Sequence, residues 1–245
     1  MTEIINVVGI GPGSSDMMTP EARKALESAD VIAGYSGYIP LLDESFQEKK
    51  IIKTPMRGEI ERCKACIREA NSGKNVALIC SGDPGVYGMA SLLLELLGEA
   101  SDVTVNIISG ITAANSSAAM LGAPLANDYC VISLSDLLTP VDVIKSRIRA
   151  ACEGDFVIAF YNPISKKRKH PFRSACEIIG SYRSLELPCG YVKNTGRKDF
   201  KSRVCTFGEL CESEDDIDMN TTVFVGNSTT RIISGRLVTP RGYVL

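Results

Sequence analysis

Short apolar runs alternate, along the first half of the chain, with stretches in which apolar residues recur at helical spacing. Thr19 and Pro20 mark the start of one such helix, as its N-cap and its first helical residue. This strand–helix alternation predicts a doubly wound parallel sheet. The predicted strands cover residues 3–10, 30–34, 50–53, 76–80 and 103–108, and the predicted helices cover residues 20–29, 59–71, 89–97 and 111–121, with a partial helix over 35–42.

The second half of the chain shows more strand and less regular alternation, which predicts an α/β domain with a mixed sheet. Residues 122–127 are typical of a connector, so we expect an N-terminal domain over 1–122 and a C-terminal domain over 123–245. The acidic run 212–218 is expected to be a solvated loop. Strands are predicted at residues 129–134, 155–161, 188–193, 203–207, 221–225 and 237–239, and helices at 141–151 and 172–182.

Composition narrows the class of protein. With 44% hydrophobic and 23% charged residues, the 245-residue chain can bury a sizeable core, and its net charge of −2 argues against a general nucleic-acid binder. Because no apolar run approaches the roughly 20 residues of a membrane span, and the N-terminus has no basic start, we expect a cytoplasmic protein. The nine cysteines are scattered, and the C-x-x-C of Cys63 and Cys66 has no second pair, so we expect structural thiols and no metal site.

A glycine-rich stretch, VALICSGDPGVYGMA at residues 76–90, is the first candidate for binding. A buried strand ends there in a tight loop, and ligands of open α/β sheets lie just outside such carboxyl ends. Gly82 and Gly85 let the backbone approach a ligand closely, and Asp83 is the only acid of the loop, with Tyr87 nearby. An ordinary strand-to-helix turn would need one glycine, so this string favours a binding loop.

Two other loops follow predicted strands of the same sheet. Gly9-Ile10-Gly11-Pro12-Gly13 does not fit the dinucleotide-binding fingerprint, because Ser14 stands where another glycine is required. The loop at residues 109–114 is rich in small residues, which suits either close helix packing or a ligand at a helix N-terminus. Three loops at one sheet edge together favour a binding site.

The remaining polar residues do not form a set that is typical of strong acid–base catalysis. His170 is the only histidine, which excludes a metal site made of several histidines and leaves no credible Ser–His–Asp set. The basic run 166–170, followed by Arg173, suits either a solvated loop or a site for a polyanion. Methyl transfer from a sulfonium donor fits this inventory, because alignment of the reactants supplies much of its rate.

Seven motifs in order along nearly the whole chain resemble the tetrapyrrole methylase family, in which GxGPG is shared throughout, whereas SGDPGVYG and SLSDLLTP are specific to one subfamily. Within that family they are most similar to the C17-methyltransferases of cobalamin biosynthesis. The motifs are GIGPGS (9–14), DVIAGYSGYI (30–39), SGDPGVYGMA (81–90), GITAANSSAA (110–119), LGAPLANDY (121–129), ISLSDLLTP (132–140) and FYNPISKKR (160–168).

The resemblance implies two α/β domains, usually paired as a homodimer, with S-adenosylmethionine in the cleft between them. It implies that the donor contacts come from the glycine-bearing loops and from two positions in the second half, one of which is Asn162, where several relatives have Met. Gly226-Asn227-Ser228 is a weaker expectation for the border of the cleft. The implied donor contacts are Pro12, Ser81, Gly82, Asp83, Val86, Thr112, Ala113, Asn162 and Thr195.

The implied reaction methylates C17 of a precorrin-3B or cobalt-factor III macrocycle and contracts the ring by extruding the C20 carbon. The macrocycle itself activates the carbon nucleophile, which agrees with the missing strong base. Contraction needs polar groups near C20, and position favours Asp136, with Ser133, Ser135 and Thr139 as partners. The substrate contacts expected are Lys167, Arg168 and Arg197 for peripheral carboxylates, with Tyr38 and Tyr87 as further candidates.

Several alternatives stay open from the sequence. Related methylases act on other precorrin carbons, on diphthine or on ribosomal RNA, although the RNA enzymes would prefer a more basic surface. A nicotinamide or nucleotide-binding protein is a different class, disfavoured by Ser14 and by the absence of an acid at the end of the second strand. A non-catalytic tetrapyrrole carrier is a third possibility, and it need not bind S-adenosylmethionine.

Overall fold

A computed structural model describes residues 4–99, 101–165 and 168–244. The chain forms two compact units, Met1–Ala113 and Ala114–Leu245. Lys167, an expected substrate contact, lies outside the described residues. Within the part of the chain that is described, no helix is long and apolar enough to cross a membrane.

The first unit is a five-stranded, all-parallel sheet with the strand order β3-β2-β4-β1-β5. The predicted parallel sheet is therefore confirmed. Its elements are β1 (Ile4–Gly9), α1 (Pro20–Ser28), β2 (Val31–Tyr35), α2 (Glu44–Gln47), β3 (Lys50–Thr54), α3 (Glu59–Asn71), β4 (Asn75–Cys80), α4 (Ala90–Leu97) and β5 (Thr104–Ile108), with 3₁₀ turns at Ser15–Met17 and Ile39–Leu41.

Apolar cores form on both faces of this sheet. Residues of α3 and α4, such as Cys66 and Leu93, pack with Val7 and Leu78 of β1 and β4. Residues of α1 and α2 form a separate core against the alternate side chains of the same strands. Helix α1 starts where the sequence predicts, because the Thr19 hydroxyl accepts a hydrogen bond from the Ala22 amide at 3.1 Å.

The second unit is built on a mixed sheet with the order β10-β9-β11-β8-β7, in which only β7 and β8 are directly paired in parallel. A small sheet, β12-β13-β6, accompanies it. The elements are α5 (Ala113–Leu121), β6 (Gly122–Ala123), β7 (Tyr129–Ser133), α6 (Val141–Glu153), β8 (Val157–Tyr161), α7 (His170–Gly180), β9 (Pro188–Lys193), β10 (Lys201–Thr206), α8 (Phe207–Glu212), β11 (Thr221–Val225), β12 (Arg231–Ile233) and β13 (Arg236–Val238).

The compact units divide after Ala113, nine residues before the end of the predicted N-terminal domain at Gly122. Helix α5 accounts for the difference, because Ala114 and Leu121 pack in one core with Phe224 of the second unit. The predicted connector also contains strand β6, which pairs with β13. Sequence pattern missed both features because they depend on residues about a hundred positions away.

The acidic run is largely a loop with exposed carboxylates, as predicted, but two of its side chains are also paired with cations of the second unit. Glu214 pairs with Arg173 on α7, with nitrogen–oxygen distances of 2.5 and 2.7 Å, and Asp215 pairs with Lys169 at 2.8 Å. Ile217, within the run, is 3% exposed and belongs to the core of the second unit. The run therefore folds onto the start of α7, where Lys169 and Arg173 lie.

The cysteines behave as small apolar residues. Burial raises the pKa of Cys63 and Cys80 to about 11 and that of Cys66 to about 12. Cys211 differs, because a hydrogen bond with Cys176 lowers its pKa. Among the described residues, no group of three or more His, Cys, Asp or Glu side chains could hold a metal ion.

Native-state alkylation tests the burial of these thiols and the order of their pKa values. At pH 8 a thiol with a pKa near 11 is ionised in about one molecule in a thousand, so iodoacetamide should leave Cys63, Cys66 and Cys80 unmodified while Cys211 reacts first. Peptide mass spectrometry over time measures the order, and urea-unfolded protein, in which all nine thiols should react, is the control. Labelling of Cys66 as fast as Cys211 would contradict the burial described.

Candidate active site

Three loops meet at the carboxyl edge of the first unit's sheet, after β1, β4 and β5. Gly11 and Gly82 exchange two backbone hydrogen bonds, of 3.2 and 2.7 Å, which join the first loop to the second. Gly110 of the third loop lies against the backbone of Gly9 and Gly82. The predicted convergence of the loops on one edge is confirmed.

Glycine is required at these positions for steric reasons. A Cβ atom on Gly9 would lie 2.6 Å from the amide nitrogen of Gly110 and 2.7 Å from the carbonyl oxygen of Gly82. Gly11 and Gly82 have φ angles of +73° and +72°, the left-handed region that other residues rarely adopt. The result is an edge of closely packed backbone formed by Gly9, Gly11, Gly82 and Gly110, which we call the glycine floor.

Asp83 joins the second loop to the third. One carboxylate oxygen accepts a hydrogen bond from the Gly85 amide at 2.7 Å, and the other accepts one from the Gly110 amide at 3.0 Å. Both oxygens therefore already have backbone partners. The structure gives Asp83 a positioning role at this edge, in addition to the expected place among the donor contacts.

The other expected donor contacts of the first unit belong to the same three loops. Pro12 is buried beside Gly11, and Gly82 lies next to the backbone of Thr112, whose Cα would stand 3.7 Å from a Cβ on Gly82. The half-buried members of this set are Ser81, Val86, Thr112 and Ala113.

A polar network occupies the carboxyl ends of β7 and β8 in the second unit. The Asn162 amide donates a hydrogen bond to the Ser133 hydroxyl oxygen at 3.0 Å, and that oxygen also accepts one from the Ser135 amide at 3.2 Å. Asn162 has a φ of +54°, a conformation that asparagine tolerates better than most residues. Two expected catalytic partners and one expected donor contact are thereby brought together.

Asp136 forms an ion pair with Arg168 beside this network. The two side chains are 34% and 24% exposed, so the pair is accessible to a ligand and partly shielded from solvent. Thr139 is half-buried later in the same loop. The sequence placed Asp136 with the catalytic groups and Arg168 with the substrate contacts, and the structure shows that the two residues share one ion pair.

Thr195 and Arg197 follow β9, which runs in the same direction as β8, so they lie at the same sheet edge as Asn162. Thr195 is 6% exposed, and its hydroxyl is 2.8 Å from that of Ser117 on α5. Its side chain therefore holds α5 in place. The backbone amide of Arg197 donates to the Asn194 carbonyl in the turn after β9.

The weaker expectation, that Gly226-Asn227-Ser228 borders the cleft, stays a prediction, and the segment does not lie at the edge that carries Asn162. Strand β11 is antiparallel to β8, so the segment that follows it lies at the opposite end of the sheet. There the Ser228 hydroxyl donates to a carboxylate oxygen of Asp155, just before β8, at 2.5 Å. The segment is a structural turn.

The basic residues at the start of α7 and just before it are largely paired with carboxylates. Arg168, Lys169 and Arg173 each contact a carboxylate of the second unit, and His170 is exposed at the first turn of α7. Carboxylates of the protein therefore neutralise these cations in part, although the side chains of Lys169 and Arg173 stay 44% and 60% exposed.

Tyr38 and Tyr87 line a cavity of about 200 Å³ in the first unit, next to the second glycine loop. A cation that the sequence motifs did not indicate, Arg62, also lines this cavity and is 3% exposed. A signal was present, because Arg62 precedes Cys66 and Ala70 at intervals of four and so belongs to the buried face of α3.

The sequence matches known proteins over most of its length. The profile of the Tetrapyrrole (Corrin/Porphyrin) Methylases matches residues 5–211. A protein of Salmonella typhimurium named "Probable cobalt-factor III C(17)-methyltransferase" is 48% identical over 243 residues, which cover 99% of this chain and 100% of that protein.

Two solved structures are similar in fold. The crystal structure of the methyltransferase CobJ superposes with a TM-score of 0.90 at 35% identity, covering 96% of this chain and 99% of that one. A uroporphyrin-III C-methyl transferase from Thermus thermophilus, complexed with S-adenyl homocysteine, has a TM-score of 0.69 at 18% identity and covers 91% of this chain and 96% of that one.

Proposed function

Because the chain belongs to the tetrapyrrole (corrin/porphyrin) methylases, we propose that it transfers a methyl group from S-adenosylmethionine to C17 of a cobalt-factor III or precorrin-3B macrocycle and contracts the ring, in cobalamin biosynthesis. The observation that carries the proposal is 48% identity, over almost the full length of both chains, to a relative named for the C17 reaction. Of these two substrates we favour cobalt-factor III, because the name of that relative specifies it.

The glycine floor of the first unit fits the methyl donor. Its backbone groups at Gly82 and Thr112 suit the polar atoms of a nucleoside, and Asp83 holds the loops that carry them. When bound, S-adenosylmethionine supplies an electrophilic methyl group. A related fold with the demethylated product bound, that of the Thermus enzyme, supports the same donor here. The protein's contribution is alignment of donor and acceptor, which lowers the entropic cost of the transfer.

The polar edge of the second unit fits the ring-contraction step. Arg168 fixes the Asp136 carboxylate, whose oxygens can accept a proton from the macrocycle. Ser133, held by hydrogen bonds to Asn162 and Ser135, places a hydroxyl on the same edge. Through the same ion pair, Arg168 presents a guanidinium to peripheral carboxylates, with Arg197 as a second cation.

Product analysis tests the whole proposal. The purified chain, incubated with S-adenosylmethionine and either cobalt-factor III or precorrin-3B, should give a product with one added methyl group and a contracted ring, identified by mass spectrometry and NMR. Calorimetry should show binding of S-adenosylhomocysteine. Binding of a macrocycle without affinity for S-adenosylhomocysteine would indicate a carrier, and methylation at another carbon would indicate a related methylase.

Asp136→Asn tests the catalytic assignment. Turnover should fall by about 100-fold, the usual range for loss of a general acid or base, while the affinity for S-adenosylhomocysteine stays unchanged. The matched control is Asp142→Asn, an exposed aspartate in the first turn of α6, which should turn over like the wild type. Full turnover with ring contraction in Asp136→Asn would remove this residue from the mechanism.

The family resemblance also leads us to propose a homodimer located in the cytoplasm. Exposed apolar side chains on the first unit, among them Leu94 and Ile107 at 45% and 51% exposure, are consistent with a covered surface in an assembly. Analytical ultracentrifugation measures the state directly, and a monomer at micromolar concentration would contradict the proposal.

A further inference from the structure

The cavity of the first unit lies beside the proposed donor edge and shares Ser81 with it. Its volume of about 200 Å³ is below the range of about 300–1,000 Å³ for pockets that enclose a whole drug-sized ligand. A tetrapyrrole macrocycle therefore does not fit inside, whereas one acetate or propionate substituent does. The lining includes Tyr35, Tyr38, Glu59, Arg62, Ser81 and Tyr87.

Arg62 is a buried cation whose hydrogen-bond partners are all neutral. Its Nε donates to the Thr54 hydroxyl at 2.8 Å, Nη1 donates to the Met89 sulfur at 3.6 Å, and Nη2 donates to the Pro55 carbonyl at 3.4 Å. Among the residues that the structure describes, no carboxylate lies within ion-pair distance of Arg62. A guanidinium has five N–H groups, so these three bonds leave one N–H on each terminal nitrogen.

Burying Arg62 in this way lowers the stability of the ligand-free protein. A buried charge without a counter-charge loses hydration that neutral acceptors replace only in part, and a thioether sulfur is a weak acceptor. The dipole of α3 does not stabilise this charge, because Arg62 is the fourth residue of the helix and the N-terminal end of a helix dipole disfavours cations. Glu59, at the first residue of α3, accepts a hydrogen bond from the Arg57 amide at 3.1 Å instead.

The walls of the cavity are aromatic and held in place. The rings of Tyr35 and Tyr38 meet edge to face with centroids 5.0 Å apart. Gly37 makes room for Tyr35, since a Cβ on Gly37 would lie 2.5 Å from that ring. Tyr87, 56% exposed, has a φ of +54°, which is strained for an aromatic residue. Backbone strain of this kind is more common at ligand sites than elsewhere.

We infer that Arg62 is a specificity-determining residue, which binds one peripheral carboxylate of the tetrapyrrole substrate inside this cavity. The two remaining N–H groups of its fork suit the two oxygens of a carboxylate, and the carboxylate supplies the missing counter-charge. The inference rests on the proposed function and adds to it a substrate contact in the first unit. It places an anionic substituent beside Ser81 and the tyrosine walls.

Arg62→Met tests the inference, because methionine keeps much of the volume and removes the charge. The KM for cobalt-factor III should rise by about 10- to 100-fold, which corresponds to the free energy of a charge-assisted hydrogen bond. Both kcat and the affinity for S-adenosylhomocysteine should stay nearly unchanged. Arg62→Lys should recover part of the loss, since it restores the charge without the fork. Arg68→Met, an exposed arginine on the same helix, is the matched control.

Thermal stability separates a binding role from a structural one. If Arg62 serves the ligand, the ligand-free Arg62→Met variant should melt at the same temperature as the wild type or higher, because an uncompensated buried charge has been removed. A fall in Tm of more than about 5 °C would identify a structural cation and overturn the inference. A KM within twofold of wild type in Arg62→Met would overturn it as well.

A failure of the proposed function gives a different result. If the wild type does not methylate cobalt-factor III or precorrin-3B, absorbance titration with uroporphyrin, which carries eight carboxylates, still measures the subsite. Weaker uroporphyrin binding by Arg62→Met than by Arg68→Met would then support the carboxylate contact without the C17 reaction. Equal binding by the two variants would overturn it.

Discussion

Gly110→Ala is expected to abolish binding of S-adenosylhomocysteine and to lower the free energy of unfolding by about 3 kcal/mol, the upper part of the usual range for overpacking. The new methyl group would collide with the carbonyl oxygen of Gly82 and would lie 2.7 Å from the carbonyl carbon and oxygen of Gly9. These are backbone atoms of two neighbouring loops, so no side-chain rotation can relieve the contact. The loops must move apart, and the floor that they form is lost.

Urea denaturation and calorimetry measure the two effects of Gly110→Ala. Gly208→Ala is the matched control, because the nearest atoms to its new Cβ stand 3.6 Å away and α8 is a helix, where alanine is favoured over glycine by up to about 1 kcal/mol. This control should be as stable as the wild type or slightly more stable. A Gly110→Ala protein with normal stability and normal ligand affinity would contradict the close contact of the three loops.

Asp83→Asn is expected to lower the free energy of unfolding by about 2 kcal/mol and to weaken S-adenosylhomocysteine binding by about tenfold. Each oxygen of Asp83 accepts from a backbone amide, of Gly85 and of Gly110. Asparagine keeps one acceptor and turns an NH₂ donor toward the other amide, so one charge-assisted bond is replaced by a donor–donor contact. The link that Asp83 makes between the second loop and the third is thereby weakened.

The combination of effects shows what Asp83 does. A positioning residue should lose stability and affinity together, whereas a residue that only contacts the donor should lose affinity alone. Asp16→Asn, in the exposed 3₁₀ turn after the first loop, is the control and should change neither quantity. Weaker binding by Asp83→Asn at unchanged stability would contradict the positioning role.

The local pattern of apolar and polar residues was sufficient to predict most of the helices and strands. The bounds of α3, β9 and β11 match the prediction, because each combines a clear apolar periodicity with turn residues at its ends. Helix α8 was missed although Thr206 and Glu209 form a capping box there, since the preceding apolar residues are typical of a strand that continues through Phe207. Two elements that abut without a turn cannot be separated by periodicity.

The candidate site was predicted less completely than the fold. Glycine spacing indicated the three loops, because close approach of one backbone to another requires glycine and is therefore visible in the residue type. The pairing of Asp136 with Arg168 was not evident, because the two residues are 32 positions apart and both were assigned separate roles. Arg62 was hidden inside an amphipathic helix, where a charge is ordinarily assumed to face water.

The sequence by itself determined the alternation of strands and helices, the glycine loops and the likeness to the tetrapyrrole methylases. Only the tertiary structure decided which charges are compensated: Arg173 and Arg168 have carboxylate partners, and Arg62 has none among the described residues. The reason is physical, since periodicity and residue type act over a few positions of the chain. The balance of burial and charge at one guanidinium depends on whichever distant residues the fold brings beside it.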